Sequence, residues 1–329
     1  MSTSMVDATG ALGSRSEFQM PRCHYWMGTE TMHHHKYRII IPFLAPALII
    51  YTVFVLYPYV NAFYLSLTSW SGTSADRPFV GLDNFRNLLT DGRFLSALST
   101  NIKFVVVLPL GTLTIALLFA SLFTQGGRGI PGSGLYRVVF FFPQVMSAVI
   151  IGILFQYVYN PRYGILNAGL EAAGLENLTR TWLGNAGTIF WAIAAVVIWS
   201  SVGFYMVIFM SGMQAIPTTF YEAATLDGAN RWRQFIDITM PLMWETIRTA
   251  LIYITIVALD MFVIIQVMTG GSQTAAARNV ETVAVYMYIE AFSMNRWGSA
   301  AAIGVILLIL TLIFSVVLMR LTKRETYEY

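Results

Sequence analysis

Four intervals of this sequence, 39–75, 104–127, 138–161 and 181–221, run without a single Asp, Glu, Lys or Arg. Each is longer than the about 20 residues that a helix needs to cross the hydrocarbon core of a bilayer. Of the 329 residues, 56% are hydrophobic and 11% charged, against the roughly 25% charge of a soluble domain. Lipid is therefore the solvent for most of the chain. The runs are too long and too uniformly apolar for the alternating strands of a barrel, so they predict helices, whose backbone polar groups are satisfied within the segment.

Six spans account for these runs, at 39–67, 102–123, 138–159, 187–212, 249–268 and 298–319. With the N-terminus inside, twelve of the 20 Lys and Arg residues fall on the cytosolic side, among them Arg320, Lys323 and Arg324. Eight then lie outside, and this bias predicts that both termini face the cytosol. The net charge of +3 comes from scattered basic residues, which argues against a nucleic-acid partner. Residues 1–36 read as a flexible cytosolic leader with no apolar core of the signal-peptide kind. His33, His34 and His35 lack a second ligand cluster, and Cys23 is the sole cysteine, so no metal site is expected. Residues 79–98 place Phe85, Leu88 and Leu89 at helical spacing, as in a short helix at the membrane interface.

The stretch 214–245, QAIPTTFYEAATLDGANRWRQFIDITMPLMWE, separates spans four and five. A polar loop of this length is uncommon unless it has a function. It predicts two short helices. Thr219 with Glu222 three residues on suggests a capping box, and Gly228 suits a left-handed turn ending the first helix. The second helix is predicted from Asn230 to Thr239, stopped by Pro241.

These residues resemble the EAA loop of the permeases of bacterial ABC importers. Glu222, Ala223 and Ala224, then Asp227, Gly228 and Ala229, then Ile238, Met240 and Pro241 match it in type and spacing. The variant is that of the carbohydrate permeases, the binding-protein-dependent transport inner membrane components similar to the maltose-type sugar permeases. PFLAPALIIYTVFVLYPYVNAFYLSLTSW, VGLDNFRNLL and GSAAAIGVILLILTL extend the likeness over 37–320, leaving 321–329 as a cytosolic tail.

The resemblance implies an all-α, six-span transmembrane domain of the type I importer class in the bacterial cytoplasmic membrane. It also implies a second homologous permease, two ATP-binding subunits that hold ATP and Mg, and an extracytoplasmic sugar-binding protein. Glu222, Ala223, Ala224, Asp227 and Gly228 would couple this chain to the ATPase. Glu222 can equally cap its own helix, and Gly228 can simply end it. Where many relatives carry a second proline after the first, this chain has Trp244, Glu245 and Thr246, which predicts a straighter approach to span five.

The three lysines, Lys36, Lys103 and Lys323, follow no glycine, so a GxxxxGK[ST] phosphate loop is absent. Nucleotide hydrolysis is therefore expected in another polypeptide. Away from the span ends, Asp260 is the one Asp, Glu, Lys or Arg within the spans, with Gln266 six positions later and Tyr253 seven before. Intramembrane charges commonly mark a pathway, and in one continuous helix Tyr253 and Asp260 would share a face. Tyr205 and Ser201 of span four complete a candidate sugar pathway. Two alternatives stand beside this reading: Asp260 as a packing contact with the partner permease, or as the ion site of a gradient-driven carrier or channel.

Overall fold

A computed structural model describes residues 32–125, 128–271 and 274–323. Cys23, most of the leader, Gly126, Gly127 and Arg324 lie outside the described residues. The chain divides between Tyr57 and Pro58 into two compact units. The first contains α1 (Met32–Tyr51), with Pro42 and Pro46 inside it, and a π-helical turn over Thr52–Leu56.

Helix α2 (Tyr57–Ser66) starts at that boundary. It is followed by α3 (Asp83–Thr90) and the long α4 (Gly92–Phe123). A two-stranded antiparallel hairpin of β1 (Thr124–Gln125) and β2 (Arg128–Gly129) links α4 to α5 (Ser133–Val145). Next come α6 (Ala148–Val158), α7 (Ile165–Ala172) and the long α8 (Ile189–Ala215). Then follow α9 (Thr218–Leu226), α10 (Arg231–Gln234), α11 (Met240–Leu242) and α12 (Trp244–Leu259). The chain closes with α13 (Val263–Met268), α14 (Ala275–Arg278), α15 (Val283–Tyr288) and α16 (Trp297–Leu321).

Four helical stretches among the described residues are long and apolar enough to cross a membrane: Ile40–Ser66, Gly92–Phe123, Ile189–Ala215 and Trp297–Leu321. Two bent pairs raise the number of spans to as many as six. The sixth predicted span agrees with α16 to within two residues at each end. The second starts ten residues earlier than predicted, because Asp91 caps α4 by accepting the Arg93 N–H at 2.8 Å. That cap also splits the predicted 79–98 helix into α3 and the first turns of α4.

The third predicted span is not one straight helix: α5 and α6 meet at 95°. Met146 is extended, and Ser147 caps α6 by accepting the Val149 N–H at 3.3 Å. Hydrophobicity is uniform over both arms and carries no sign of the corner, whereas Pro143, three residues before it, is the sequence signal for a kink in this span.

Helix α8 is the central post, packing against α4 on one side and α5 on another. Glycine makes the close approach possible. A Cβ on Gly203 would lie 1.8 Å from the Phe140 carbonyl oxygen, and one on Gly111 would lie 2.6 Å from Ile198 Cδ1. Small residues let membrane helices meet backbone to backbone. One core cluster joins Phe104, Leu108, Ile193 and Ile265, and a second joins Ala116, Met206, Phe209 and Ile254.

Candidate functional site

Two regions carry the residues singled out from the sequence. In the first, Pro217 precedes α9 and holds its own backbone at φ −55° and ψ 133°, so the helix starts at Thr218. Thr219 therefore lies inside the first turn, and the predicted capping box with Glu222 does not form. The Glu222 carboxylate instead faces Arg128 of the hairpin, 3.7 Å from the guanidinium, with both side chains exposed.

Gly228 behaves as predicted. At φ +78° it takes the left-handed conformation, donating its N–H to Thr225 O while Ala229 donates to Ala224 O. These two bonds form the Schellman closure, which glycine permits without a Cβ penalty.

The second helix of the pair departs from expectation at its end. The Asn230 side chain caps α10, accepting the Arg233 N–H at 2.9 Å. Pro241 does not stop the helix. A π-helical turn over Phe235–Thr239 widens the backbone two residues before the proline, where its missing N–H leaves the Asp237 carbonyl without an α-helical partner. The chain runs on to Leu242 and then bends by 69° into α12. The straighter approach predicted from the missing second proline is thus overturned. Met243 makes the corner with φ −89° and ψ 0°, and its side chain is buried.

The two helices are locked to each other from within. The Tyr221 hydroxyl lies 3.0 Å from Thr239 Oγ1, and Gln234 Nε2 donates to Thr225 Oγ1 at 2.9 Å. With these polar groups bonded to each other, Leu226 is 90% and Trp232 68% exposed. Trp232 stacks on Phe235 with ring centroids 6.0 Å apart. An open cavity of about 930 Å³, lined in part by Arg128, Glu222, Arg231 and Trp232, lies between this pair and the hairpin.

The second region is the predicted fifth span, which is not continuous. Helix α12 ends at Leu259, Asp260 leaves the helix at φ −103° and ψ 46°, and α13 resumes at Val263. Tyr253 and Asp260 are therefore not two turns apart on one helix face. Both side chains are exposed, and Gln266 is half-buried on α13. Tyr205, read from the sequence as a pathway residue, is only 3% exposed and belongs to the second core cluster. Its ring meets Phe204 edge-on at 5.2 Å, and Phe204 in turn lies 6.2 Å from Tyr253. Burial withholds its hydroxyl from solute in this conformation. Ser201 is half-buried on α8.

Sequence reasoning missed what holds the break. Asn101 of α4 is 1% exposed. Its Nδ2 donates to the carbonyls of Leu259 at 3.1 Å and Ala258 at 3.4 Å. Its Oδ1 accepts the Val283 N–H at 2.7 Å. Thr282 adds a bond from Oγ1 to Met261 O at 3.4 Å. Two turns earlier on α4, Arg93 pairs with both oxygens of the buried Glu281 carboxylate at 3.0 to 3.3 Å. Tyr286 donates to Asp91. Burial pushes the Asp91 carboxyl up, but the Tyr286 hydroxyl, the N–H groups of Arg93 and Phe94 and the Arg93 charge outweigh it and hold it below the ordinary value. A polar residue one position before the predicted start of span two was the available signal for Asn101.

The comparisons with known proteins agree with this architecture. Residues 112–327 match the family described as binding-protein-dependent transport system inner membrane component. The diacetylchitobiose uptake system permease protein NgcF of Streptomyces coelicolor is 39% identical over 284 residues, covering 84% of this chain and 79% of its own. The multiple sugar-binding transport system permease protein MsmF of Streptococcus mutans is 31% identical, covering 86% and 94%. A bacterial alginate ABC transporter, solved in complex with an alginate pentasaccharide-bound periplasmic protein, contains a chain of the same fold. That chain aligns over 89% of this one and 98% of its own length, with a TM-score of 0.73 and 20% identity. The reading as a gradient-driven carrier finds no support in these matches. The chain is a membrane-embedded permease and belongs to the family of inner membrane components of binding-protein-dependent transport systems.

Proposed function

We propose that this chain is the non-catalytic permease subunit of an ATP-driven importer that carries a di- or oligosaccharide across the bacterial cytoplasmic membrane. It pairs with a second permease, two ATP-binding subunits that hold ATP and Mg, and an extracytoplasmic sugar-binding protein. Both termini face the cytosol. The observation that carries this reading is the α9–α11 unit. Its internal polar groups are mutually bonded, so it moves as a rigid body, while Leu226 and Trp232 project unburied beside the Glu222 carboxylate. Such a unit seats apolar anchors in a partner's cleft and hands the cleft's closure to α8 and α12, to which it is joined at both ends. Glu222, Ala223, Ala224, Asp227 and Gly228 form the contacting helix and its turn.

The sugar passes the break at Asp260, where an exposed carboxylate interrupts an apolar span. Discontinuous helices place polar groups at membrane depth where they line a cavity. Asp260 accepts sugar hydroxyls, Tyr253 offers an exposed ring to the C–H face, and Gln266 and Ser201 flank them. Tyr205 supports this wall from behind, through Phe204. Selection of a sugar is supported by the names of the relatives above.

The deciding experiment measures uptake of labelled di- and oligosaccharides by cells expressing the complete importer. Glu222→Arg is expected to abolish uptake and binding-protein-stimulated ATP hydrolysis, with the chain still present in the membrane. Uptake that survives ATP depletion but collapses with the proton gradient would overturn the reading.

A further inference from the structure

The unwound turn at Asp260–Phe262 frees backbone carbonyls that a continuous helix would have bonded. In an unbroken α12, Ala258 O and Leu259 O would accept the N–H groups of Phe262 and Val263. Here both accept from Asn101 instead. The same side chain takes the N–H of Val283, one of the orphan donors at the start of α15. The orientation of the amide is unambiguous. Two carbonyls demand the nitrogen on one side, and a backbone N–H demands the oxygen on the other. One residue, 1% exposed, thus satisfies three backbone groups from two elements, at 2.7 to 3.4 Å.

We propose that Asn101 is the positioning residue for Asp260: by substituting for the helical donors of α12 it fixes the break after Leu259, and the break in turn aims the Asp260 carboxylate into the sugar pathway. No other common side chain fills the role. Leucine has the same branched shape and number of side-chain heavy atoms, though it is bulkier, and it leaves all three backbone groups unpaired. Aspartate accepts from Val283 but sets its oxygens against two carbonyl oxygens. Glutamine adds a methylene to a packed site, where overpacking is costly. Without Asn101 the cheapest partners for Ala258 O and Leu259 O are the N–H groups of Phe262 and Val263. Helix α12 would then run on through residue 260 and set it out of the open turn, on the helix surface one turn beyond the apolar Ile256 and Val257.

The proposal rests on the pathway reading of Asp260, and two measurements separate the fates of the two ideas. The first is independent of transport. In a Cys23→Ser, Asp260→Cys chain within the whole importer, leaky membrane vesicles are treated with a water-soluble methanethiosulfonate, and the labelling rate at residue 260 is recorded. Asn101→Leu is expected to slow labelling by about fivefold or more, because a thiol moved to an apolar face ionises poorly. If Asn101→Leu does not reach the membrane, Asn101→Ser, which cannot overpack, gives the rate instead. A smaller change overturns the positioning role, whatever uptake does. The second measurement is an uptake cycle of Asn101→Leu, Asp260→Asn and the pair. The double variant is expected to transport no worse than Asp260→Asn alone, because Asn101 acts through Asp260; independent, additive losses would overturn the proposal. Normal uptake by Asp260→Asn would sink the pathway reading and leave the labelling rate to decide Asn101.

Discussion

The turn at Gly228 is closed by backbone bonds that reach back five residues or fewer, whereas the break after Leu259 is closed by a side chain 158 residues away in sequence. Both regions interrupt a helix and leave carbonyls to be satisfied. The α9–α11 unit does this locally, with a glycine, an asparagine cap and a tyrosine–threonine contact, and so remains a self-contained body with apolar side chains to spare. The break at Asp260 borrows its partners from α4 and cannot exist without it. A coupling element that must move against another subunit is best built from short-range bonds, because its integrity then survives the motion. A polar interruption among packed helices has no water to complete it and takes whatever the neighbouring helices supply.

The contrast makes the break region more sensitive to distant substitutions than the helix pair is to its own. The largest effect is expected at Arg93, on α4, whose replacement by alanine leaves the buried Glu281 carboxylate unpaired. Removing one partner of a buried pair costs about 3–5 kcal/mol, and the value here should lie near the lower end because Arg93 is partly exposed. The denaturation temperature of the purified protein would show it, with Arg93→Lys intermediate because lysine retains charge but not the two-pronged contact. A drop no larger than that of an exposed-residue control would mean that the Arg93–Glu281 pair does not hold this region.

Gly228→Ala comes next, at about 1 kcal/mol, since the left-handed turn penalises any Cβ although nothing lies within 4 Å of it. Its signature should be lost coupling of ATP hydrolysis to uptake, with membrane insertion intact. Tyr221→Phe removes one hydroxyl contact between the paired helices, worth about 0.5–1 kcal/mol. Thr239 Oγ1 still reaches Gln234 O at 3.4 Å, so the lower figure is expected.

The smallest effect concerns acid. Asp91 is held below its ordinary value in the folded chain, so its contribution is fully present above the unfolded value of about 4. It is lost as pH falls through the lowered folded value. Denaturation temperature should therefore decline below about pH 4 in the native chain, and less in Asp91→Asn.

Much of this architecture was legible before any coordinates. Apolar runs without charge located the long helices, α8 and α16 almost to the residue, because a long apolar helix in lipid depends on composition more than on neighbours. Gly228 was legible because turn chemistry is decided within a few residues. The unwinding at Asp260 was not, since it lies in a run whose composition suits a continuous helix; Pro143 and Pro241 marked the neighbourhoods of the corner at Met146 and the bend at Met243 without fixing where the chain turns. The capping box failed for a local reason: Pro217 started α9 two residues too early for Thr219 to cap it.

The sequence by itself determined that the chain lives in a membrane, that it carries a capped helix pair between two spans and that it holds no phosphate loop. Those properties follow from hydrophobicity, turn residues and motif spacing, all of which are short-range. The tertiary structure decided where the apolar runs break, that Tyr205 is core rather than wall, and that Asn101 and Arg93 of one helix secure the far end of the chain. The break after Leu259 depends on which carbonyl meets which amide across 150 residues or more, and no pattern along a single chain encodes that meeting.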